Sequence, residues 1–295
     1  MKLATYKDGS RDGQLVVVSR DLSLAHFATG IASRMQQLLD DWNFLSPQLE
    51  DLYATLNNGK ARHAFAHDAR LCMAPLPRAF HWALCGPPAS DNALAGLVVH
   101  TGAGDVFAGA CDPALFVDLA DGPDCRPGLA AIAADVPAGS APAQALEAVR
   151  LLLLAGDWTL RGRGADAPHA GQPAAPGRTG SVFGPVAVTP DELGPAWQGG
   201  RVRLPLQWRR GARAAETLDT GSAMPWHFGE LLAALAATRP LFAGCVVGCL
   251  FGVAATDLPP LEAGDGIRID LRDGQGHSVF GAIEQTVRRR GDLPA

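Results

Sequence analysis

Charge is scarce in this chain. Asp, Glu, Lys and Arg make up 19% of its 295 residues, aromatic residues make up 6%, and only two residues are tyrosines. Little charge beside 47% hydrophobic residues excludes a disordered chain and leaves enough apolar surface for a sizeable core. The formal charge is −5 and the 25 cations are scattered, so there is no basic footprint and no nucleic-acid partner is expected. The one basic run, Arg288-Arg289-Arg290, is expected to be a solvated tail. The longest apolar runs, Leu151 to Ala155 and Leu241 to Val247, are too short for a membrane helix. Met1-Lys2-Leu3 opens a strand-like segment with no secretory signal, so a cytoplasmic protein with no membrane partner is expected.

Familiar site motifs are also missing. The six cysteines, Cys72, Cys85, Cys111, Cys125, Cys245 and Cys249, form no Cys-x-x-Cys, so a structural zinc site is not expected. Free thiols, several of them buried, are expected. There is no Gly-x-Ser-x-Gly elbow for a serine hydrolase and no Gly-x-Gly-x-x-Gly or Walker sequence for a nucleotide. His63 and His67 are four apart but have no third ligand in view, so they read as a solvated face. Abundant Ala, Gly, Pro and Arg point to a GC-rich bacterial genome.

Periodicity supplies the elements. Leu3 to Tyr6 and Leu15 to Val18, with turns at Asp8-Gly9 and Asp12-Gly13, predict a hairpin. Leu24, Phe27, Ile31, Met35 and Leu38 predict a four-turn helix. A second helix is predicted with Ser46 as N-cap and Pro47 at its first position, ending at Asn58-Gly59. Beyond Pro75 the texture becomes short apolar runs split by Gly and Pro. Strands are predicted over Ala130 to Ala133, Val149 to Leu154, Val186 to Thr189, Val202 to Leu206, Cys245 to Val253, Ile267 to Leu271 and Val279 to Val287. Gly229 to Thr238 reads as a helix, with His227 before it as a cap. Arg161 to Gly180 reads as a loop of the kind that forms lids.

Several collinear stretches carry a resemblance. They are MKLATYKDGSRDGQLVVVSRDL at the start, LDDW at Leu39, PLPRAFHWA at Pro75, FGPVAVTPDELG at Phe183, GELLAALAATRPLFAG at Gly229 and GDGIRIDLRDGQGHSVFGAIEQTV at Gly264. Together these resemble the fumarylacetoacetate hydrolase family, in particular its bacterial members. The resemblance implies an α+β, mainly β protein. It implies a small α+β N-terminal domain over residues 1–74 and a distorted β-roll over 75–295, usually assembled as a homodimer. It also implies cleavage or hydration of small oxo-acids. In such enzymes a divalent metal held by carboxylates acts as Lewis acid, a His–Glu pair activates water, and a cation stabilises the leaving enolate.

Carried over position by position, the family's site is mostly absent. Its Asp-Phe-Glu-x-Glu motif becomes Asp124-Cys125-Arg126-Pro127-Gly128, so Arg126 and Gly128 stand where two metal ligands are implied. Asp157, in Gly156-Asp157-Trp158-Thr159-Leu160-Arg161, is the only retained ligand position, and the implied Lys falls at Arg178. The implied catalytic His becomes Asp91 and its partner Glu becomes Ala93. The polar Gly-Ser-Gly-Thr loop becomes Gly248-Cys249-Leu250-Phe251. Magnesium and calcium want several carboxylate oxygens. Two like charges about 4 Å apart cost roughly 4 kcal/mol at an effective dielectric near 20, which sets Arg126 against a cation.

The expectation is therefore no metal, with Arg126 pairing to Asp157 in its place. A pocket for a small acidic or dicarbonyl ligand is expected, with Arg78, Arg126, Asp157 and Arg178 as its candidate ligand-binding residues. Asp157, Arg178 and Asp91 are the candidates for any catalysis. Cys125 beside Arg126 could be a nucleophile if open, but reads better as a buried thiol. Arg78 could take a substrate carboxylate or hold a domain seam, and His81 reads as a packed histidine. Two alternatives stay open. One is an active hydrolase or lyase on an acylpyruvate-like or β-diketo acid, with Mg2+ or Ca2+ held by Asp121, Asp124 or Asp135. The other is a non-catalytic subunit of an active paralogue.

Overall fold

Alternating aliphatic residues begin the chain and set its first sheet. In the computed structural model, which describes residues 1–86, 98–102, 107–161, 178–251 and 259–292 (the backbone alone at 86, 98–102, 178 and 179), β1 (Lys2–Tyr6) and β2 (Gln14–Val18) form the expected hairpin. β3 (Leu24–Phe27), α1 (Met35–Asp40), α2 (Trp42–Asn57) and β4 (Phe65–Ala66) follow. Here two expectations are corrected. Leu24 to Phe27 is a strand paired to Val16–Val18, and helix begins only at Met35. α2 begins at Trp42, so Pro47 lies inside the helix rather than at its first position. Its missing N–H forfeits one bond near the helix start.

The remaining chain is mostly strand. β5 (His81–Gly86), β6 (Val98–Gly102), β7 (Phe107–Ala108), β8 (Ala114–Phe116) and β9 (Pro123–Ala133) precede α3 (Pro142–Leu146). Then come β10 (Val149–Leu160), β11 (Arg178–Phe183), β12 (Val186–Val188), β13 (Trp197–Gln198), β14 (Arg201–Val202), β15 (Pro205–Arg210) and β16 (Glu216–Asp219). α4 (Thr220–Ala223), α5 (Phe228–Leu235), β17 (Cys245–Leu250), β18 (Gly266–Leu271) and β19 (Ile283–Arg289) complete it. The arginine run is exposed, as expected, but Arg288 and Arg289 belong to β19 rather than to a tail. His227 caps α5: its Nδ1 accepts the N–H groups of Gly229 and Glu230, and Glu230 accepts the N–H of His227.

Among the described residues one sheet runs β4-β3-β2-β1-β12-β10-β9-β17-β5-β6, with β11 and β7 branching from β10. A second runs β16-β15-β18-β19-β8. The sheet continues from the N-terminal strands into the rest of the chain through β1 and β12, where Lys2 faces Val188. β9 and β10 are its spine, and both of their faces are covered. Leu129, Ala131, Leu152 and Leu154 pack with Ile267, Ile269 and Leu271 of the second sheet. Ala130, Ile132, Leu151 and Leu153 pack with Met35, Leu38, Leu49 and Leu56 of the helices. Burial on both sides is why these strands read as unbroken apolar runs. Each Leu or Ile buried this way contributes roughly 1.5–3 kcal/mol. Where the apolar runs give out, at residues 124–128 and 155–159, the polar site begins.

Candidate functional site

Strand register assembles the site. β9 and β10 are antiparallel, with Gly128 opposite Ala155, Arg126 opposite Asp157 and Asp124 opposite Thr159. Side chains alternate along a strand, so Asp124, Arg126 and Gly128 share one face with Asp157. On the far side of β10, Ser181 of β11 is level with Asp157. Arg178 enters this row through its backbone: it lies opposite Thr159, beyond a bulge at Trp158/Thr159. Four expected positions, Arg126, Gly128, Asp157 and Arg178, are thus brought to one patch of sheet. Asp91 lies outside the described residues, as does most of the expected lid.

The side chains do not pair as expected. Asp157 is 1% exposed and its Oδ1 accepts the Ser181 hydroxyl at 3.0 Å. Among the described residues no ion pair joins Arg126 to Asp157, although the two stand directly across from each other; Arg126 is half-buried and has no ion-pair partner there. Asp124, 4% exposed, is held by two guanidinium groups. Its Oδ1 accepts Arg210 Nε at 2.8 Å, and its Oδ2 accepts Nε of Arg161 at 3.0 Å and also Arg161 Nη2. Sequence reasoning missed Arg210, because no local pattern ties it to an acid 86 residues away.

Gly128 is a glycine for steric reasons. A Cβ at this position would collide with the carbonyl oxygen of Cys249 on β17. Gly248 likewise leaves room for Leu84 Cδ1 and the Trp82 ring, which an added Cβ would meet at 2.6 and 2.9 Å. Gly248 to Leu250 is fully buried strand, so the segment matched to a polar substrate loop is core.

Cys125 is fully buried. Burial first, then the carboxylates of Asp157 and Asp124, push its thiol well above the ordinary range, which removes the nucleophile reading. Arg78 is exposed and grips Asp12, with Nε donating to Oδ1 at 2.7 Å. It lines a groove of about 610 Å³ with Arg34, Gln36, Asp40 and Phe80, a groove that includes neither Arg126 nor Asp157. His81 packs at the start of β5 with Nδ1 3.0 Å from Arg239 Nη2, and burial followed by that cation lowers its pKa. His67 contacts the Tyr6 hydroxyl through Nδ1.

Metal ligation can be tested on these donors. Among the described residues no three His, Cys, Asp or Glu side chains come together to hold a cation. Arg126 brings positive charge, Gly128 has no room for a side chain, and Asp124 is taken up by two guanidinium groups. Asp135, a fallback ligand, is exposed and accepts the N–H of Ala243 at 2.8 Å. The donor set does not fit a hard divalent cation.

Mixed sheets with few helices make this an α+β, mainly β protein with a polar patch on its spine strands. The chain belongs to the fumarylacetoacetate hydrolase family. Residues 81–288 match the family profile "Fumarylacetoacetate (FAA) hydrolase C-terminal", and residues 1–78 match "Fumarylacetoacetase N-terminal domain 2". No curated protein sequence matches it. Among solved structures it is similar to a fumarylacetoacetate hydrolase from psychrophilic Exiguobacterium antarcticum (19% identity, TM-score 0.72, 98% of this chain and 100% of that one). It is also similar to maleylpyruvate hydrolase from Sphingobium sp. SYK-6 in complex with manganese(II) ion and pyruvate (18%, 0.70, 98% and 99%). A third is a probable 2-hydroxyhepta-2,4-diene-1,7-dioate isomerase from Mycobacterium abscessus (19%, 0.71, 100% and 100%). At these identities the likeness is one of fold. Among the described residues no helix is long and apolar enough to cross a membrane.

Proposed function

We propose that this protein keeps the family fold as a receptor for a small oxo-acid or dicarbonyl anion, and that the metal-dependent carbon–carbon hydrolysis of the family has been given up. The observation that carries this reading is Arg126 opposite Asp157, beside a Gly128 whose side-chain space is filled by the backbone of β17. A guanidinium fork binds a carboxylate directly, which is the work a divalent cation would otherwise do for the substrate's acid end. Arg178, whose backbone lies opposite Thr159 on the neighbouring strand, belongs to the same proposal. The protein then acts in the cytoplasm as a homodimer, as a binding protein, as the partner of an active paralogue, or with chemistry that needs no metal.

Pyruvate is the first probe, because the similar maleylpyruvate hydrolase is in complex with it. The test is metal analysis of the purified protein together with acylpyruvate turnover in added Mg2+, Mn2+ and Ca2+. The reading expects substoichiometric metal and no metal-dependent rate. Stoichiometric metal, or a metal-dependent rate lost in Asp157→Asn, overturns it in favour of an active family hydrolase.

A further inference from the structure

The most exposed phenylalanines among the described residues lie around one groove. Phe80 is 75% exposed, Phe44 72% and Phe242 64%. Phe80 lines the groove of about 610 Å³ together with Gln36, Asp40 and Asp41, over a floor of buried Met35 and Leu76. Phe242 adjoins it, because Gln36 Nε2 donates both to Asp40 Oδ1 at 2.7 Å and to the carbonyl of the next residue, Ala243, at 3.1 Å. Phe44 lies in the first turn of α2, and its N–H donates to the Asp41 carbonyl. Single exposed apolar residues are ordinary on a protein surface, but three phenylalanine rings around one apolar-floored groove mark an interaction surface.

Both signs of charge stand on this surface. Asp40 is tied through Gln36 to the Ala243 end of the loop 239–244. Arg239 is the other end of that loop, with Nη2 3.0 Å from Nδ1 of His81, the residue after Phe80. Phe242 lies between the two ends. The ion pairs at this surface among the described residues join Arg34 to Asp8 and Arg78 to Asp12, and none reaches Asp40, Asp41 or Arg239. The loop itself is held in place. Ala243 donates its N–H to Asp135 Oδ1 at 2.8 Å, and Leu241 exchanges two backbone bonds with Val136.

We infer that two copies of the chain meet at this face about a two-fold axis, with Phe80 and Phe242 of one copy packed on those of the other. A two-fold contact sets one surface against its own rotated image. Acids at one end, a cation at the other and rings beside both make a surface that complements itself. Arg239 of each copy is then set against Asp40 and Asp41 of the other. A partner of one charge sign would match only half of the face, which is why a second copy is the occupant. The inference rests on the homodimer of the proposed function and adds the surface that forms it. It does not depend on which ligand Arg126 binds.

The test is sedimentation equilibrium of the full chain and its variants. The wild type is expected to be a dimer. Phe80→Ser and Phe242→Ser replace exposed side chains, so the fold should be kept, as circular dichroism would show. Each should raise the dimer dissociation constant by about a hundredfold or more, because one substitution removes two rings from a two-fold contact. Arg239→Glu and the double variant Asp40→Lys with Asp41→Lys should each dissociate more readily alone, and should dimerise with one another when mixed. A dimer that is indifferent to Phe80→Ser and Phe242→Ser overturns the inference and leaves the homodimer of the proposed function standing on another face. A monomeric wild type overturns both, and the face then belongs to a different protein. Failure of the two charge variants to pair on mixing overturns the self-complementary arrangement.

Discussion

Arg126 and Asp157 face each other across β9 and β10, yet the contact that Asp157 accepts at 3.0 Å comes from Ser181 on the opposite neighbour, β11. Arg126 thus stands across from a buried acid without an ion pair to it, and under the proposed function its charge is the one an incoming anion meets. Arg161 and Arg210, by contrast, both donate to Asp124, two residues along β9.

The Asp124 bridge should dominate local stability. Asp124→Asn leaves Arg210 buried with its acceptor weakened, and removing one partner of a buried ion pair costs roughly 3–5 kcal/mol. Chemical denaturation should show a loss of that size. The double variant Asp124→Asn with Arg210→Met should recover much of it, because the stranded charge is gone.

Gly128 should tolerate no side chain. In Gly128→Ala the new methyl meets backbone, which cannot rotate away as a side chain can. A loss of roughly 1–3 kcal/mol is expected from urea denaturation. A variant as stable as the wild type would mean that β17 moves freely, and the steric argument against a carboxylate here would fail.

Lys2 should give a pH signature. It is buried in β1 with Nζ donating to the Val279 carbonyl at 2.9 Å. Burial pulls its pKa from 10.5 down to about 8, against a partial pull upward from Glu192 and Asp273. Between about pH 8 and 10.5 the unfolded chain therefore holds more protons at this site than the folded one. Its contribution to stability rises with pH across that window, and below pH 8 the cost of the buried charge is fully present. Lys2→Met should be more stable than wild type at pH 7, with the advantage shrinking by pH 10. An advantage independent of pH would contradict this.

Thiol reactivity should rank the cysteines by burial. Cys125 is enclosed and its thiol is pushed far up, while Cys111 is only half-buried. Cys111 is raised too, by burial and then by Asp112 and Asp68, so its reaction should be slow but first. Timed alkylation of the native protein, read by mass spectrometry, should label Cys111 and spare Cys125 until unfolding. Early labelling of Cys125 would reopen the nucleophile reading.

Much of the fold could be read from residue patterns, because β1, β2, β9 and β10 carry apolar runs that signal strand locally. The segment from Leu24 to Leu38 could not. Apolar spacing of three and four fits a helix, but it fits equally well a short strand followed by a turn and a helix. Pairing of Ala25 with Val18 decides between them, and that is a tertiary fact. The same limit applied at the site. Register brings Arg126, Gly128, Asp157 and Arg178 to one patch of sheet, whereas Arg78, grouped with three of them from the sequence, lies in a groove apart. The expected Arg126–Asp157 ion pair is not formed, because the direction of a long guanidinium is set by surroundings that sequence spacing does not encode. Arg210 gave no signal at all: its pairing with Asp124 depends on how the second sheet meets the first.

The most direct test of the account is calorimetric titration of pyruvate into chelator-treated protein, repeated with Mn2+ present and with Arg126→Ala. The account predicts binding that the chelator leaves unchanged, that Mn2+ does not strengthen, and that Arg126→Ala weakens by about tenfold or more, the loss of a charge-assisted pair. Binding that appears only with Mn2+ and survives Arg126→Ala would contradict it.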